Sequence, residues 1–115
     1  MQDLPKPAHE LPAPVVQVRA EFPAVAAAYD QLGAAVRDAG PLGEREVALA
    51  KLAMAIGARH EGATHAHVRK ALALGVEPAA IEHVAVLACP TLGFPHMMMA
   101  LTWVRDVLGR VADVK

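Results

Sequence analysis

Within GARHEGATHAHVRKALALG (57–75), four proton-handling side chains fall inside eight residues: His60, Glu61, His65 and His67. An imidazole beside a carboxylate can relay a proton near neutral pH, which is the requirement for general acid–base catalysis. Each residue of a helix turns about 100°, so positions seven apart nearly eclipse and positions four apart are neighbours. His60 and His67 are therefore expected on one face, looking into a shared cavity, with Ala63 and Thr64 between them. Glu61 and His65 pair on an adjoining face. His60 and Glu61 fall in the expected first turn, where free N–H groups and the helix dipole favour negative charge. An imidazole there is biased towards its neutral form, which can accept a proton.

Each of these residues also has a plainer reading. Glu61 suits the first turn of any helix, and its pairing with His65 is worth only a few tenths of a kcal/mol on a surface. His65 alone reads as solvated or interfacial. His60 and His67 could be hydrogen-bonded core histidines. A zinc site is not expected, because His65 and His67 project to different faces and no Cys or Asp in the segment completes a tetrahedral set. No metal and no organic cofactor is expected.

The elements that carry these side chains read as helices throughout. Every apolar segment has helical spacing and none shows strand alternation, so the fold class is all-α, one domain of about six helices. Residues 1–14 carry four prolines and read as an extended arm, with the helical domain over 15–115. Helices are expected over about 15–22, 23–39, 43–57, 60–74, from 78, and 95–112. Gly75 closes the fourth as a left-handed cap. Leu49, Leu52, Ala53 and Ile56 form the stripe of the third; Ile81, Val84, Ala85 and Ala88 that of the fifth. Met97, Leu101, Val104, Leu108 and Val111 make the seam of the last. CPTLGFP (89–95) is expected to break the chain before it.

Composition narrows the function classes. The chain has 115 residues, 55% of them hydrophobic but only 3% aromatic, with a net charge of −1. An Ala-rich chain this short cannot hide that much apolar surface alone, so a homo-oligomer is expected. No basic patch with interleaved aromatics speaks for nucleic acid. No apolar run reaches the length of a membrane span, and the N-terminus lacks the pattern of a signal peptide. The single cysteine, Cys89, forms no internal disulfide and fits a reducing cytoplasm.

At HVRKALALG (67–75), at ARHEGATHAH (58–67) before it and at GFPHMMMALTWVRDVL (93–108), the sequence resembles the alkylhydroperoxidase-D-like family, which includes the carboxymuconolactone decarboxylases. VEPAAIEHVAVLA (76–88) is similar to the family helix between them. The resemblance spans roughly 43–108 and implies a small all-helical protein that assembles as a homotrimer or homohexamer. The peroxidase branch carries Cys-x-x-Cys-x-x-x-His, with a Glu twelve residues before the first Cys. In the gapless register His60 stands where the first Cys does, Ala63 at the second, His67 at the family His and Ala48 at the Glu. Glu46 lies two residues from that place and Lys51 one turn on. Ala63 supplies no thiolate, so peroxide reduction by the family's route is not available. A second register counts from Glu46, puts His65 at the family His, and reads HEGATH (60–65) as the His-Glu-x-x-x-His of the lactone decarboxylase branch. That branch removes CO₂ by proton transfer without a cofactor.

The resemblance and the residues together give His60, Glu61, His67 and Glu46 as catalytic candidates, with Thr64, His65 and His96 contacting substrate. The favoured activity is cofactor-free acid–base chemistry, of decarboxylase or isomerase type, on a small carboxylated or carbonyl compound. The alternatives are an alkylhydroperoxidase-type antioxidant working through Cys89 and an external thiol, and a non-catalytic ligand-binding oligomer. His83, beside Glu82, reads equally as part of a solvated helix face or of a site. Met97, Met98 and Met99 read as flexible filler and Trp103 as a core or interface anchor.

Overall fold

A computed structural model describes residues 11–114, with side chains described as far as Gly109. The elements are α1 (Ala13–Glu21), α2 (Pro23–Arg37), α3 (Glu44–Gly57), α4 (Glu61–Ala73), α5 (Pro78–Val86), α6 (Ala88–Leu92) and α7 (Phe94–Val114). The described residues form helices and turns only: six helices of nine residues or more, and one single turn. No described helix is long and apolar enough to cross a membrane.

Helix boundaries follow local chemistry. Pro14, Pro23 and Pro78 sit in first turns, where a missing N–H costs nothing and the fixed φ already suits a helix. α1 therefore begins at Ala13, two residues earlier than the expected arm allows, and residues 1–10 of that arm lie outside the described part. α4 ends as the sequence predicts. Gly75 has φ 85°, and the Val76 N–H donates to the Ala71 carbonyl across it, 3.0 Å. α3 ends in the same motif, with the His60 N–H donating to Ala55 at 3.1 Å, but there the left-handed residue is Arg59, φ 56°.

The segment 89–95 differs from expectation. Pro90 is the third residue of α6, where its missing N–H leaves no helical bond unmade, so the chain stays helical to Leu92. The break falls at Gly93, φ 109°.

The core lies between α3, α4, α5 and α7. Leu52, Val68, Ile81, Val104 and Val107 are fully enclosed there, together with Ala71, Ala85 and Ala100. Each buried Leu or Ile contributes roughly 2 kcal/mol, and the alanines let the helix backbones approach closely. The α3 stripe is turned slightly from the expected one. Ala48, Leu52, Ala55 and Ile56 are buried, Leu49 only partly, and Ala53 faces outward. On α7, Ala100 and Val107 join Leu101 and Val104 at the centre while Met97 and Leu108 flank them.

α1 and α2 form a hairpin apart from this core. Neither buries a residue, and an Arg19–Asp30 ion pair joins them. Val15, Val18, Phe22, Val25 and Tyr29 are all exposed and line a shared groove.

Candidate functional site

α3 and α4 are joined by three residues, so they run antiparallel and lay two stripes against each other. From α3 come Glu44, Val47, Ala48 and Lys51, at steps of three and four. From α4 come His67, Lys70, Ala73 and Leu74. Arg37, at the end of α2, completes the lining of a cavity of about 420 Å³. Its walls are apolar and its polar groups are one imidazole, three cations and one carboxylate.

His67 is half-buried in this cavity, and its pKa is lowered from 6.5 to about 4. Burial is the largest cause, because the charged ring loses hydration. Lys70 and then Lys51 add to it by repelling a second positive charge. At neutral pH the ring is uncharged and carries a free lone pair.

The other candidate residues are placed elsewhere. His60 is not in the first turn of α4 but is its N-cap, with an extended backbone at φ −102°, ψ 102°. Its Nδ1 accepts from the Ala63 N–H at 3.1 Å, so its lone pair closes the helix end. The expected eclipse with His67 fails for that reason, since the 100° rule holds only between helical residues. His60 does not line the His67 cavity. Glu46 is also used locally: its carboxylate accepts from the Gly43 N–H at 2.8 Å and caps α3. Glu44, one turn-face away, is the acidic residue in the cavity. Thr64 is fully buried and donates to the His60 carbonyl at 2.8 Å.

His96 is buried at the start of α7, its Nε2 2.6 Å from the Ile56 carbonyl. A carbonyl only accepts, so Nε2 carries the proton, and His96 ties α7 to the end of α3 instead of touching the cavity. Glu61 and His65 lie on an outer face, where His65 Nε2 is 3.0 Å from Asp106 Oδ2 of α7. Cys89 is partly buried on α6 and lines none of the His67 cavity. His83 is exposed.

A model of the carboxymuconolactone decarboxylase family matches residues 23–106. The chain belongs to that family. Searches of curated proteins and of solved structures returned no match. The whole lining of the cavity, Arg37 to Leu74, falls inside the span shared with the carboxymuconolactone decarboxylase family. Ala48 and His67, which the gapless register sets at the family's Glu and His, both line it. Glu46 and His65, which the second register sets there, do not.

Arg37, Glu44, Lys51 and Lys70 are the charged cavity residues that are not among the sequence candidates. Lys70 was within reach, because it lies three residues from His67 on the same face. Arg37 arrives from a helix whose placement no local pattern dictates.

Proposed function

We propose that the protein is a cofactor-free acid–base enzyme acting on a small carboxylated carbonyl compound, of the lactone decarboxylase or isomerase type. The observation that carries this reading is a neutral, half-buried imidazole set among Lys51, Lys70 and Arg37 in one apolar-walled cavity. Three cations around an open pocket favour an anion, and the cavity volume suits a small organic acid.

In this reading Arg37 and the lysines hold the substrate's carboxylate, and His67 faces the carbon that exchanges a proton. A ring with its pKa near 4 is a weak base in the empty site. A bound anion offsets the lysine charges and raises the ring's affinity for a proton, so basicity develops only with substrate in place. When the C–H or C–CO₂ bond breaks, its electron pair moves onto the conjugated carbonyl oxygen. A lysine ammonium stabilises that oxyanion. The proton then returns to carbon from the imidazolium or from water. The apolar groove along α1 and α2 supports assembly of several copies, in line with the trimer or hexamer that the family resemblance implies.

The test is turnover and solvent-deuterium exchange of γ-carboxylated lactones by wild type, His67→Gln, Lys51→Met and His60→Asn. His67→Gln should abolish exchange, Lys51→Met should mainly raise KM, and His60→Asn should change neither. Undiminished exchange in His67→Gln would end the proposal. Peroxide consumption lost specifically in Cys89→Ser would favour the redox alternative.

A further inference from the structure

The outer face of α4 carries a second cluster that the cavity chemistry does not use. Glu61 and His65 stand one turn apart there, and Asp106 of α7 comes up against them. One donor atom from each side chain lies within 4.8 Å of the other two. No Cys or Asp within the 57–75 segment completes a ligand set. The third ligand is Asp106, forty-one residues after His65, and folding brings it in.

We propose that Glu61, His65 and Asp106 form a binding site for one divalent transition-metal ion of the zinc class, clamping α4 to α7. The donor set is one borderline nitrogen and two hard oxygens, which zinc accepts readily. Zinc holds such atoms at about 2.0–2.1 Å, so neighbouring donors around it sit roughly 3.3 Å apart. His65 Nε2 and Asp106 Oδ2, at 3.0 Å, are already at nearly that separation. The Glu61 carboxylate makes no hydrogen bond or ion pair with other described residues, and its oxygen already lies within 4.8 Å of the other two donors.

Charge points the same way. Two carboxylates against one imidazole leave the cluster negative whichever form the ring takes, and a dication neutralises it. The first turn of α4 accounts for an acid at position 61 but not for its donor atom lying beside those of His65 and Asp106. Three protein ligands also leave a position for water, the open arrangement of zinc sites that are not purely structural. The cluster shares no residue with the His67 cavity, so the two proposals stand or fall separately.

The test uses tag-free, full-length protein stripped with EDTA and dialysed. Zinc chloride is titrated by calorimetry, and cobalt(II) is followed by its visible absorption. Wild type should take up one ion per chain and gain thermal stability. Asp106→Asn, His65→Gln and Glu61→Gln should each weaken binding by at least about tenfold, the low end of what even an outer-shell partner is worth. Asp106→Asn keeps the side-chain shape at an exposed position, so folding is not at issue. His60→Asn and His67→Gln should bind as wild type does. Absence of stoichiometric uptake by wild type overturns the proposal. So does wild-type affinity in Asp106→Asn, or loss of binding in His60→Asn.

Discussion

Removing the charge of Lys70 tests the electrostatics of the cavity most directly. The His67 ring is held well below its ordinary 6.5, at about 4, by burial first, then Lys70, then Lys51. For a part-exposed ring this preference for the uncharged form is worth on the order of 1–2 kcal/mol. The assay is an NMR titration of the imidazole Cε1–H signals, with His67→Gln assigning the resonance. Wild type should titrate near pH 4. Lys70→Met should raise the midpoint by on the order of half a unit, and Lys51→Met by less. Neither should restore 6.5, because burial remains. A small dicarboxylate such as malonate should also raise it. The same ring sets a pH dependence of stability. Between about pH 4 and 6.5 the unfolded chain holds a proton that the folded one does not, so stability falls as pH drops through that window and levels off below it. A His67 midpoint at or above 6.5, or one that Lys70→Met leaves unmoved, would refute the neutral-base argument.

Three further outcomes are expected. His60→Ala should cost about 1 kcal/mol through loss of the α4 cap, seen in urea melts, with turnover intact. His96→Leu should cost more, about 1–3 kcal/mol, because the buried Ile56 carbonyl loses its imidazole donor; circular dichroism melts would show it. Val25→Asp with Phe22→Ser, on the open α1–α2 groove, should shift the mass measured by light scattering towards the monomer while leaving the helical signal unchanged.

Much of the architecture was legible because helices announce themselves locally. Proline at first turns, glycine at position 75 and apolar spacing place the six longer helices to within about two residues, while the short α6 reads as a break. The site was less legible, and His60 shows why. Its seven-residue distance from His67 predicts a shared face only if both are helical, and a cap residue is not. Glu46 was likewise a sensible acid by type, yet the end of its own helix claims it. Asp106 comes beside His65 from α7 and Arg37 enters the cavity lining from α2, and such pairings leave no trace in spacing. Of the candidates, His67 alone lines the cavity, and Lys51 enters only as a neighbour of the Ala48 place in the family register.

The corner between α3 and α4 is three residues long and hinges on Arg59, a bulky side chain in a backbone conformation that glycine adopts more readily. The core holds α4 in its register, because a turn of about 100° would lift Val68 and Ala71 out of it. The same packing sets the stripe of His67 and Lys70, so a residue more or fewer in the corner is taken up by the corner itself. A change of length at 58–60 is therefore expected to spoil the His60 cap and the left-handed turn at Arg59 while leaving the face that carries His67 where the core sets it.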